Sequence, residues 1–152
     1  MQTMLSKLML IVSLCSVGLT TYAQTISTHD IYGKPYAFSS HTGGWIIINY
    51  WASWCMPCLK EIPDLNRFAA LIKKTATTFY AINYDQLPEK EQQAFALRHG
   101  ITYTLLSHNP LPDLIPEDAI TALPMTYAIS PQGEVQQLFG AQTAETLLRV
   151  IS

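Results

Sequence analysis

At 152 residues the chain suits one domain with a sizeable core. Nine Lys+Arg against eleven Asp+Glu give a formal charge of −2 with no basic stripe, which argues against a nucleic-acid partner. Three cysteines are too few for a disulfide framework, and a domain of this size needs none, so they point towards chemistry.

The chain starts with the order of a secretory signal peptide. Lys7 precedes an apolar run from Leu8 to Leu19, and Thr21-Tyr22-Ala23 ends in a small residue, placing cleavage after Ala23. The run of about 12 residues is short of the roughly 20 that cross a bilayer as a helix. An uncleaved anchor is the alternative. Cys15 follows Leu14 inside this segment and reads as a passenger in the discarded peptide. Residues 1–23 are thus a signal peptide and 24–152 the folded domain, exported to the periplasm or an equivalent compartment where disulfides persist. Its two remaining cysteines are Cys55 and Cys58.

Thr28 to Ser40 alternates loosely around Tyr32-Gly33-Lys34-Pro35, a turn between two short extended pieces. After Gly43-Gly44, the run Trp45 to Trp51 is apolar on both faces apart from Asn49, as in a central buried strand. Leu59, Ile62, Leu65, Phe68, Ala69 and Ile72 recur at three- and four-residue steps and predict a helix to about Lys74, kinked at Pro63. Thr77 to Tyr84 reads as a strand, Glu89 to His99 as a helix ended by Gly100, and Ile101 to Leu106 as a further strand. The stretch from Ser107 to Glu117, with three prolines, predicts loop plus at most a short helix. Met125 to Ile129 and Glu134 to Phe139 flank Ser130-Pro131-Gln132-Gly133 as a hairpin, and Thr143 caps a closing helix to Ile151. This order implies a mixed sheet covered by helices.

Chemistry concentrates in Trp54-Cys55-Met56-Pro57-Cys58, at the junction of the buried strand and the first helix. A thiolate at a helix N-terminus is favoured by unpaired N–H groups and the positive end of the dipole, so Cys55 is expected below the roughly 8.5 of a free thiol. A Cys-x-x-Cys in this context reads as a dithiol/disulfide redox centre.

Several separate stretches resemble one family. Ile48-Asn49-Tyr50-Trp51-Ala52-Ser53-Trp54-Cys55-Met56-Pro57-Cys58, then Lys60-Glu61-Ile62-Pro63, are similar to the thioredoxin fold and, within it, to exported TlpA/ResA-like thiol–disulfide oxidoreductases. Ala122-Leu123-Pro124-Met125-Thr126-Tyr127 resembles the family's cis-proline segment. The resemblance implies an α/β thioredoxin-like three-layer sandwich: a mixed β-sheet flanked by helices, with an N-terminal β extension. It also implies client proteins bearing disulfides or thiols and a membrane-embedded thiol electron donor. The clients of this branch include apocytochromes awaiting haem and copper-site proteins. A monomer with no cofactor is expected. Asn49 stands where many thioredoxins have a buried aspartate, while the exported branch carries asparagine there and a glutamate just after the second cysteine, as Glu61 does here. Met56 departs from the pairs found between the cysteines of thioredoxin and of strong oxidants.

On this basis Cys55 is the candidate nucleophile and Cys58, more buried, the resolving thiol. Glu61, one helix turn past Cys58, takes its proton directly or through one water. Trp54, Met56, Pro57, Leu123 and Pro124 form the substrate groove, with Trp54 helping to exclude water and Leu123 offering its backbone to an extended client segment. Pro57 also suits an early helix position. Two rivals stand beside this reading. One is a Cu(I)-binding module in which Met56 and Met125 assist the cysteines; the other is a redox-inert binding module. His29, His41, His99 and His108 are scattered without ligand spacing, and no metal site is assigned to them.

Overall fold

The computed structural model describes residues 26–38 and 43–152. The segment read as a signal peptide lies outside the described residues, as does His41.

Strands β1 (Ile26–His29) and β2 (Pro35–Phe38) pair antiparallel as the N-terminal β extension. Their turn is tied by Asp30, whose Oδ1 accepts the N–H groups of Tyr32 and Lys34 at 2.9 Å each. The hairpin leans on the main sheet through Asp30, which bridges to Leu106.

Five further strands make that sheet: β3 (Ile46–Trp51), β4 (Thr78–Asn83), β5 (Thr104–Leu106), β6 (Met125–Ile129) and β7 (Val135–Phe139). Their order is β5-β4-β3-β6-β7. β3, β4 and β5 run parallel, β6 runs antiparallel to β3, and β7 pairs antiparallel with β6 and so runs in the direction of β3. β3 is central and every residue in it is buried, as its two-faced apolar run requires. Just before it, Gly44 passes so close to the Ala76 carbonyl that a Cβ would not fit.

Three helices complete the fold: α1 (Met56–Leu71), α2 (Glu89–His99) and α3 (Ala144–Val150). The crossovers β3–α1–β4 and β4–α2–β5 step the same way across the sheet, so right-handed connections leave both helices on one face. There Ile47 and Phe79 meet Leu65 and Phe68 of α1 and Leu147 of α3, while Trp51 and Ala81 meet Phe95 of α2. The opposite face, with Ile46, Ile48, Tyr50 and Tyr127, is covered by Phe38, Leu111, Ile115 and Ile120. That third layer is mostly irregular chain with one 3-10 turn at Glu117–Ala119. The architecture is thioredoxin-like, with the flanking helices gathered on one side.

Two local expectations change. β5 is shorter than predicted because the preceding residues are used otherwise. The Ile101 N–H closes α2 on the Ala96 carbonyl, behind Gly100 at φ 64°, and Thr102 is held by the Asn66 side chain. α1 runs unbroken through Pro63, which is exposed, so the ring sits where one missing donor is tolerated.

Candidate functional site at the head of the first helix

α1 starts where the central strand ends, and the residue at the join is Cys55. It is the N-cap, extended at φ −83° and ψ 97°, and its sulfur accepts the Cys58 N–H at 3.3 Å. No acidic residue lies in the first helical turn, so nothing opposes the positive end of the dipole at that sulfur. Pro57 lies in that turn, where its missing N–H has no helical partner to lose.

Cys55 and Cys58 are joined as a disulfide, S–S 2.02 Å. They are 4% and 3% exposed, so burial does not separate attacking from resolving thiol, contrary to the expectation that Cys58 lies deeper. Position separates them: only Cys55 caps the helix. The loop ahead of them is pinned from the next strand. Asp85 accepts from the Ser53 hydroxyl at 2.6 Å and from its N–H at 3.3 Å, and the Tyr84 N–H reaches the Trp51 carbonyl at 2.8 Å. Trp54 and Met56 stand out beside the disulfide, 66% and 61% exposed.

The Leu123–Pro124 peptide bond is cis. Pro124 is buried at the start of β6, and Leu123 packs both against the cluster containing the two cysteines and against the core of the opposite face. The Pro124 carbonyl accepts the Gly140 N–H at 3.0 Å, which fixes this edge to the end of β7.

Glu61 is 2% exposed, under the sheet rather than on the helix surface. Its Oε1 accepts the Asn49 side-chain amide at 2.9 Å, and its Oε2 accepts the backbone N–H of Gln142 at 2.7 Å. The same Asn49 nitrogen donates to Thr126 Oγ1 at 3.1 Å. Burial raises the Glu61 pKa from 4.5 to about 7, against the lowering effect of the Gln142 and Asn49 donors, while Asp64 adds to the rise. Asn49 therefore holds the carboxyl group that the sequence places one turn beyond Cys58. Tyr103 completes the surroundings; burial and then the Glu61 charge push its phenol upward. Trp51, Cys58, Leu59, Ile62, Ile101 and Tyr103 line a hollow beside the resolving sulfur that is too narrow to seat a water.

Thr126, Gln142, Tyr103 and Asp85 were not marked by the sequence. Only Asn49, as a lone polar residue in an apolar strand, carried a local signal. The two methionines of the copper reading do not converge: Met56 faces solvent, whereas Met125 is fully buried with Tyr50 and Tyr127 on the face opposite the cysteines. Met125 belongs to the core. Among the described residues no group of three or more His, Cys, Asp or Glu side chains could hold a metal ion.

The site thus combines a disulfide whose first sulfur caps α1, a buried carboxyl group one turn further along that helix, and a cis-proline preceded by a residue packed on the cysteine cluster. The sequence model of the AhpC/TSA family matches residues 19–138. The chain belongs to the AhpC/TSA family. It is 29% identical over 121 residues to a protein named thiol-disulfide oxidoreductase ResA from Geobacillus kaustophilus (strain HTA426), covering 79% of this chain and 68% of that one. A protein of the same name from Bacillus subtilis (strain 168) is 23% identical over 154 residues, covering 91% and 85%. Among solved structures, a thiol:disulfide interchange protein of the thioredoxin family from Chlorobium tepidum TLS superposes with a TM-score of 0.70 at 26% identity, covering 85% and 92%. StoA from Bacillus subtilis shares the fold, with a TM-score of 0.68 at 21% identity, covering 84% and 96%.

Proposed function

We propose that this chain is an exported thiol–disulfide oxidoreductase, a disulfide reductase or redox relay that acts on client proteins through Cys55 and Cys58. The observation that carries the reading is the buried, clamped Glu61 carboxyl group behind a helix-capping dithiol. Homologues named thiol-disulfide oxidoreductases support it.

In the reduced protein, the Cys55 thiolate attacks one sulfur of a client disulfide. A mixed disulfide forms and the other client sulfur leaves as thiolate. Cys58 gives its proton to the Glu61 carboxylate. The resulting thiolate attacks the Cys55 sulfur, the bond to the client breaks, and the second client thiolate leaves. Two electrons have moved from the dithiol to the client. A site that holds the protonated carboxyl group near neutral pH is suited to take and return that proton at ambient pH. The proton passes directly or through one water. Trp54, Met56 and Pro57 form one wall of the client groove, Leu123 and Pro124 the other. A membrane-embedded thiol carrier restores the dithiol. Residues 1–23 direct export and are removed, and 24–152 act as a monomer. Among the described residues no helix is long and apolar enough to cross a membrane.

The test is turnover of a small peptide disulfide under a dithiol reductant, with Cys55→Ser and Cys58→Ser as controls. Catalysis by the wild type that both variants abolish is expected. Absence of turnover would leave a redox-inert module.

A further inference from the structure

Gln142 lies in the strap between the end of β7 and the start of α3, and its side chain is buried. Its backbone N–H donates to Glu61 Oε2 at 2.7 Å. Its side chain fastens the strap: Nε2 donates to the Gly140 carbonyl at 2.9 Å, and Oε1 accepts from Thr146 Oγ1 at 3.2 Å in the first turn of α3. Two residues earlier the same strap sends the Gly140 N–H to the Pro124 carbonyl at 3.0 Å. The next helix residue, Ala144, gives its N–H to Asp64 at 3.3 Å, so the strap and α3 are docked on two carboxyl groups of α1.

We propose that Gln142 is a positioning residue for the Glu61 carboxyl group and, through the 140–142 part of the strap, ties that group to the Pro124 carbonyl on the client edge. The inference rests on the reading of Glu61 as proton carrier. An N–H bound to an ionised carboxylate is held more tightly than one bound to a neutral acid. When Glu61 accepts the Cys58 proton, its grip on the Gln142 N–H therefore loosens, and the strap that fixes Pro124 is released from one of its anchors. By linkage, a client on the Pro124 edge changes the affinity of Glu61 for its proton by the same factor. The other titratable groups near Glu61 are Asp64 and Cys58 on α1 and Tyr103 ahead of β5. Arg67 is paired with both Asp64 and Glu145 at the edge of this contact.

The test uses the reduced full chain and a peptide disulfide, with the rate of client release measured from pH 5 to 9. Gln142→Ala removes the side-chain fastening. Gln142→Met keeps the length and volume and carries the test if the alanine variant does not fold. Loss of the fixed donor raises the Glu61 pKa, so the rising limb of the rate profile moves upward, by about one pH unit for one hydrogen bond to a carboxylate. In a Glu61→Gln background the same change has no further effect. An unmoved limb in folded Gln142→Met overturns the inference, as does an equal loss of rate in the Glu61→Gln background. Failure of the underlying reading looks different: the wild-type limb itself then survives Glu61→Gln.

Discussion

Glu61→Gln is expected to stabilise the oxidised protein progressively as the pH rises. Glu61 is almost completely buried, and burial lifts its pKa from 4.5 to about 7. A carboxyl group whose folded pKa is raised contributes its full stability below the unfolded value. That contribution declines as the unfolded chain ionises and is lost once pH passes the folded value. From 4.5 to about 7, at about 1.4 kcal/mol per pH unit, the loss is about 3 kcal/mol. A neutral glutamine does not incur it. The gain is below that figure because glutamine has one acceptor oxygen, whereas Asn49 and Gln142 donate to two. Urea unfolding of both proteins from pH 4 to 8.5 is the assay, read as the difference between variant and wild type so that other groups cancel. The difference should climb between about pH 4.5 and 7 and then level. A flat difference, or one that falls with pH, would mean that the ionised form is at home in the site, and the proton-carrier argument would fail.

Other outcomes follow from particular contacts. Asp85→Ala removes the acceptor that pins Ser53 ahead of the cysteines and should cost about 2 kcal/mol in denaturant unfolding; no change would show that the loop holds itself. Phe68→Ala opens the core under α1, where the ring is fully buried against Phe79, and should cost about 3–5 kcal/mol, with a loss under 1 arguing against that packing. Trp54→Ala, at an exposed position, should leave stability within about 0.5 kcal/mol and raise KM for a peptide disulfide. An unchanged KM would remove Trp54 from the groove.

What the sequence made legible was local or periodic. The two-faced apolar run of β3, the three- and four-residue steps of α1, the Thr143 cap and the Ser130 to Gly133 turn each act over a few residues. All four appear in the fold. The helix-capping place of Cys55 was readable for the same reason. The surroundings of Glu61 were not, because its donor Gln142 lies 81 residues away and Thr126 lies 77 residues from Asn49. Such pairs are set by sheet order and strap length, which no local pattern encodes. β5 is shorter than its side chains suggest, since Ile101 and Thr102 are strand-forming residues whose backbone N–H groups are bound by α2 and Asn66. The covering of the second sheet face was also opaque, since a proline-rich stretch without periodicity supplies its apolar residues.

The most direct test of the account is capture of a client on the Cys58→Ser variant. Without the resolving thiol, the mixed disulfide cannot be released, so a client polypeptide should stay bound through Cys55 and come free with reductant. Its identity would give both the client and the direction of electron flow. If Cys55 instead forms no reducible adduct with any polypeptide and is alkylated at neutral pH no faster than a simple thiol, the helix-capping sulfur is not the reactive centre and the account is wrong.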